Sequence, residues 1–275
     1  MVSFKILSAA LLASTAMALP HANSHSHMHQ QHQSLEKRSS SKRGAAYNDA
    51  ALVSSLSASG AVSWAYDWNM FNMGTLPSGV EYVPMLWGAK MFTGWVAAIE
   101  TALASGSAYI LGFNEPDLAS QAAMGSAEAA SYYRQYITPY SGQAKLVSPA
   151  VTSSTGTDVG LDWMNNFLTD CADCGISAMA VHWYGETADQ FKSFVTQALQ
   201  LASQHGLEET WVTEFALSSD LSGSGATSAS SEFLNEVLPW MDAQSGITRY
   251  AAFMCAEGYL LSGNQLSVSG QAYTS

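Results

Sequence analysis

Eight short β-like runs, each followed by a stretch of different periodicity, are the feature that most restricts how this chain can fold. The runs lie at 45–48, 61–66, 81–87, 109–114, 145–151, 178–184, 210–215 and 249–254. Several of the intervening stretches carry helical signals. The clearest covers 187–206, where Phe191, Phe194, Val195, Ala198, Leu201 and Ala202 recur near a 3.6-residue period. Thr187 and Gln190 there form a capping-box pattern, and Gly206 lies just past the end. Residues 126–140 and 160–169 read as helical as well. Strands that alternate with helices must pair in parallel, and eight such units predict a (β/α)8 barrel over residues 44–275. An open doubly wound sheet is the alternative, but neither a G-x-G-x-x-G turn nor a Walker A loop is present.

The residues before the barrel read as address and processing. Residues 1–19 combine Lys5, a short apolar stretch from Ile6 to Ala18 and a small-residue signal at Ala16-Met17-Ala18. A membrane span needs about 20 apolar residues, so a removable signal peptide is expected. Residues 20–43 are a His-rich tract holding five of the seven histidines (His21, His25, His27, His29, His32). Lacking apolar periodicity, the tract is expected to be a soluble pro-segment rather than a metal site. Two dibasic pairs, Lys37-Arg38 and Lys42-Arg43, suit a secretory processing protease, and cleavage after Arg43 is expected to leave 44–275. Residues 271–275 are polar, so no membrane anchor is expected.

Composition removes whole classes of function. With 22 acidic against 10 basic residues the chain has no basic stripe with which to hold nucleic acid. Hydrophobic residues at 48% and charged residues at 12% exclude a disordered tail. The 8 Trp, 12 Tyr and 10 Phe suffice for a large core and an aromatic-lined cleft.

In a (β/α)8 barrel the chemistry sits at the C-terminal ends of the strands. Run four ends in Asn114-Glu115-Pro116-Asp117, and run seven ends in Thr213-Glu214-Phe215. A carboxylate at the end of an otherwise apolar strand is costly to desolvate unless something uses it. Two of them facing one cleft are the minimum apparatus for glycoside cleavage, one protonating the leaving oxygen and the other attacking carbon or activating water. Asn114 is placed to meet a sugar 2-hydroxyl. Trp64, Trp87 and Trp183 are expected to stack on sugar faces, and Asp67 to bind hydroxyls. Tyr184, with His182 as second choice, is expected to donate a hydrogen bond to Glu214.

The segments 42–48, 62–66, 81–88, 111–117, 148–151, 180–184 and 211–215, in this order and spacing, resemble glycoside hydrolase family 128, which includes secreted fungal β-1,3-glucanases. The resemblance runs from about Arg43 to Tyr273. It implies a clan A barrel, retaining hydrolysis of β-1,3-glucan, Glu115 as acid/base and Glu214 as nucleophile. Asp67 stands where an Asn is frequent in that family, which bears on sugar preference more than on reaction class. Cys171 and Cys174 are expected to form a local disulfide in a secreted chain, leaving Cys255 a buried thiol. No metal or organic cofactor is implied. A monomer that cuts fungal cell-wall glucan internally is expected. The alternatives are a wall glucan-binding protein without turnover, and a clan A glycosidase of another linkage or of exo action.

Overall fold

The computed structural model describes residues 41–223 and 225–275; the signal-peptide and His-tract expectations lie outside them. Each of the eight predicted runs overlaps a strand. They are β1 (Gly44–Ala46), β2 (Trp64–Tyr66), β3 (Glu81–Tyr82), β4 (Tyr109–Ile110), β5 (Lys145–Val151), β6 (Ile176–Gly185), β7 (Glu209–Leu217) and β8 (Ile247–Tyr250). β1-β2-β3 and β4-β5-β6-β7-β8 form two parallel sheets. Parallel bridges join their edges, Met85 to Leu111 on one side and Arg43 to Tyr250 on the other. The eight strands thereby close into a barrel.

The helices are α1 (Val53–Ser57), α2 (Trp95–Ala104), α3 (Ser126–Tyr136), α4 (Gly160–Asp170), α5 (Ala188–Gln204), α6 (Ser228–Ala243) and α7 (Val268–Thr274). Helix α5 begins where the capping box puts it. Thr187 Oγ1 accepts from Gln190 N at 3.2 Å, while the Gln190 side chain accepts from Glu186 N at 3.0 Å. No helix stands between β2 and β3; residues 67–80 instead connect them as a loop. A two-stranded hairpin, β9 (Leu261–Ser262) with β10 (Gln265–Leu266), precedes α7. No helix among the described residues is long and apolar enough to cross a membrane.

Two apolar layers follow from the alternation of each strand. Met179, Val181, Trp183, Val212 and Phe215 belong to the layer between barrel and helices. Ala46, Trp64, Tyr66, Val147, Ala178, Ala180, Trp211 and Met254 fill the barrel interior. Strand β7 breaks strict alternation. Its register with β6 slips by one residue between the pairs Val181–Val212 and His182–Glu214, leaving Thr213 as an extra residue. The bulge lets Trp211 and Glu214, three residues apart, both face inward.

The expected boundary after Arg43 falls inside this fold. Lys42 O accepts from Tyr250 N at 2.9 Å, and Arg43 O accepts from Ser63 N at 3.1 Å. Lys42 and Arg43 therefore belong to the barrel wall, because β1 needs its N-terminal neighbours to reach β8. Cys171 and Cys174 form the disulfide expected of them, with Cα atoms 5.1 Å apart, in the turn between α4 and β6. Cys255 is a buried free thiol, its pKa pushed up to about 12 by burial.

Candidate active site

Glu115 and Glu214 meet at the C-terminal mouth. Both are buried, at 7% and 5% exposure. Glu115 has φ of 44°, a left-handed conformation that a non-glycine residue holds only under constraint from its surroundings. The constraint comes from both sides of the turn. Glu115 N donates to Ala150 O at 2.8 Å, and Asn114 N to Trp87 O at 2.9 Å. Asp117 then anchors the segment by accepting from Thr152 Oγ1 at 2.6 Å and Gly160 N at 2.8 Å.

Glu214, aimed inward by the β7 bulge, is held by donors. Tyr184 OH donates to Oε2 at 2.5 Å and Trp68 Nε1 to Oε1 at 2.6 Å. Tyr66 OH donates to Thr213 O at 2.9 Å, the carbonyl of the bulged residue, and lies 3.5 Å from Glu214 Oε1. Burial and the Glu214 charge push the Tyr184 and Tyr66 phenols far above their ordinary range, so both remain donors. His182 stands between the acids, Nδ1 lying 2.9 Å from Glu115 Oε1 and 3.4 Å from Glu214 Oε2. Its burial opposes the imidazolium, but the Glu214 charge and the Glu115 hydrogen bond outweigh that and raise its pKa. One donor atom from each of Glu115, His182 and Glu214 lies within 4.8 Å of the others. A cation there would compete with the His182 hydrogen bond and with the donors already on Glu214.

Each remaining expected site residue has a definite place. Asn114 is buried beside Glu115; its Nδ2 donates to Gln121 at 3.3 Å, while its Oδ1 has no partner among the described residues. Trp87 is half-buried next to Asn114, with Lys90 Nζ 3.4 Å above its ring. The stacking role expected of Trp64 is corrected: it is 0% exposed, packs on Trp211 at 5.1 Å, and sits in the lowest interior layer of the barrel. Trp183 is corrected too. His182 and Tyr184 point inward, so the residue between them points outward, where it stacks on Phe233 at 3% exposure. Asp67 does not offer free oxygens. It accepts from Asn69 N, Met73 N and Tyr82 OH, fixing the 67–80 loop, and burial raises its pKa.

Trp68 is the site residue that sequence reasoning missed. Trp64, Tyr66 and Trp68 recur at period two along β2 and its extension, and their rings follow one another up the interior at 5.9 and 5.2 Å. That spacing was visible, and the last aromatic of the series, not the first, is the one that reaches the mouth.

The chain is similar to known proteins along most of this fold. The family model for the glycosyl hydrolase catalytic core matches residues 44–273. Alkali-sensitive linkage protein 1 of Schizosaccharomyces pombe is 31% identical over 197 residues, 70% of this chain, and the matched stretch spans only 34% of that relative. A family 128, subgroup III, curdlan-specific exo-β-1,3-glucanase from Blastomyces gilchristii, solved with glucose, superposes with a TM-score of 0.78. It is 42% identical, over 85% of this chain and 97% of that one. A subgroup I endo-β-1,3-glucanase from Amycolatopsis mediterranei, solved with laminaritriose, gives a TM-score of 0.71 and 28% identity, over 85% and 98% of the two chains. The chain belongs to the glycosyl hydrolase catalytic-core family and, within it, to glycoside hydrolase family 128, the β-1,3-glucanases.

Proposed function

We propose that the protein is an exported retaining β-1,3-glucanase in which Glu214 is the nucleophile and Glu115 the acid/base. The observation that carries the reading is the pair of buried carboxylates, with oxygens within 4.8 Å of each other and His182 Nδ1 between them. A retaining pair stands about 5–5.5 Å apart, whereas an inverting pair needs about 6.5–9.5 Å to admit water.

The roles follow from the partners. Tyr184 and Trp68 donate to opposite oxygens of Glu214, which fixes its direction for attack on the anomeric carbon. Among the described residues Glu115 shares one oxygen with His182 and has no such pair of donors, which leaves its other oxygen open to carry a proton to the leaving glycosidic oxygen. Attack by Glu214 forms the glycosyl ester as Glu115 gives up that proton. Glu115 then takes a proton from the water that hydrolyses the ester, and the product keeps the β configuration. Asn114 is assigned to the 2-hydroxyl and Trp87 to a sugar face, with Lys90 leaving the ring as sugar enters.

Sequence reasoning expected internal cleavage of cell-wall glucan. The 42% identity to an exo-acting enzyme favours release from chain ends as a second reading. One reaction series separates them. Purified protein is given laminarin, curdlan, cellulose and xylan, with proton NMR of the first-formed anomer. The proposal expects β-anomeric products from the first two substrates only. Glucose alone supports chain-end attack, a ladder of oligosaccharides supports internal attack, and a first-formed α-anomer or binding without turnover contradicts the proposal.

A further inference from the structure

Trp68 reaches Glu214 from a backbone that an aromatic residue does not adopt freely. Its φ is 54°, in the left-handed region, where a bulky side chain sits only if its neighbours force it there. Those neighbours are held on both sides. Asp67, 8% exposed, accepts from Asn69 N at 3.2 Å and Tyr82 OH at 2.9 Å on Oδ1, and from Met73 N at 3.1 Å on Oδ2. Asn69 O accepts from the same Tyr82 OH at 2.8 Å and from Met85 N at 2.9 Å. Trp68 is thus bracketed between two residues that one phenol of β3 ties together. Its ring packs on Tyr66 at 5.2 Å and edge-on to Phe253 at 5.9 Å, and its Nε1 donates to Glu214 Oε1 at 2.6 Å.

The chemistry of the bracket demands an acid. Asn69 N and Met73 N can only donate, and they approach opposite oxygens of Asp67. A carboxyl group accepts on both oxygens, whereas an amide of the same shape turns an N–H toward one of the two donors. Donor would then face donor in a buried place, which costs the bond and leaves a polar group unpaired. From this we infer that Asp67 is a positioning residue, whose carboxyl group locks residues 67–73 in the turn that aims the Trp68 indole at Glu214. With the lock broken, residue 68 returns to an ordinary φ, and its indole, carried on a rotated backbone, no longer meets Oε1. Glu214 then keeps Tyr184 and loses its second donor. The effect on rate rests on the proposed role of Glu214 as nucleophile; the link from Asp67 through Trp68 does not.

Two measurements on the same variants read the link and the rate separately. Full-length protein labelled with 15N-tryptophan shows an indole N–H peak for each of its 8 Trp, and the peak missing from Trp68→Phe belongs to Trp68. A bond at the short end for an N–H donor shifts that proton downfield. Asp67→Asn is expected to move the Trp68 peak upfield, while the peak of Trp163, which donates to Met124 O, stays in place. On laminarin the same variant is expected to lose about 10-fold in kcat with KM within about twofold, less than outright removal of a donor because Trp68 is still present. In the Trp68→Phe background, Asp67→Asn is expected to cost no more than about a further twofold, since both act through one bond. An unmoved Trp68 peak, an unchanged kcat, or losses that multiply in the double variant would each overturn the inference. Should Asp67→Asn not fold, Tyr82→Phe removes the phenol that joins Asp67 to Asn69, and an unmoved Trp68 peak there overturns it equally. A wild type without turnover sinks the nucleophile reading, whereas a moved peak still supports the link.

Discussion

The two ends of the barrel both bury charge, but they do so in opposite ways. At the N-terminal end Arg249 pairs with Glu81 at 2.6 Å, and its guanidinium lies over Tyr109, Trp211 and Trp64 at 4.3, 4.8 and 5.5 Å. Glu81 completes its shell by accepting from Ala108 N, and Glu209 nearby is met by Lys145 at 2.9 Å. The depression there is large, about 1150 Å3, yet its acids face cations. At the C-terminal end two acids face each other across one imidazole, with aromatic donors behind them and, among the described residues, no Lys or Arg bonded to either. An acid neutralised by a cation holds a barrel together, whereas two carboxyl groups held close by side-chain donors hold reactivity.

Substitution of the two acids is expected to have the largest effect. Glu214→Gln and Glu115→Gln are expected to lower kcat on laminarin by roughly 10^4-fold and 10^3-fold while the melting midpoint stays within a few degrees. Loss of fold with loss of rate would assign these residues to stability. At the other end the pattern reverses. Arg249→Met leaves Glu81 buried without its partner and should cost about 3–5 kcal/mol in urea unfolding, with kcat of the folded fraction within twofold of wild type.

Tyr184→Phe removes one donor from Glu214. A drop of about 10^2-fold in kcat with little change in KM is expected, since an oriented donor matters most in the transition state. The smallest effect concerns pH. His182 has a raised pKa in the fold, so the stability it contributes is present in full below its unfolded value of about 6.5 and is lost as pH rises through the folded value. Chemical unfolding of His182→Gln should show less decline across that alkaline window than wild type; equal slopes would mean that the imidazole does not titrate there.

Much of this was legible in the sequence, and what was missed has a physical reason. All eight strands were readable because parallel strands buried on both sides leave short, dense apolar runs. Glu115 and Glu214 stood out because a carboxylate ending such a run is expensive. Which aromatics reach the cleft depends on strand phase, and position along the sequence alone does not give it. Trp183 lies between two inward residues and therefore points outward, while Trp64 faces inward one layer too low. The bulge at Thr213 was invisible, because it arises from pairing with β6 rather than from any residue's preference. Lys42-Arg43 reads as a protease signal until α6 and α7 end beside it, a contact made across some 200 residues.

Covalent attachment of Glu214 to sugar, on which the proposed mechanism turns, is read by trapping the ester. A 2-deoxy-2-fluoro laminaribiosyl fluoride slows hydrolysis of the intermediate, and mass mapping of peptides locates the label. One sugar per chain is expected, on Glu214, with none on the Glu214→Gln variant. A label on Glu115, or turnover of this reagent that yields the α-anomer with no labelled peptide, would contradict it.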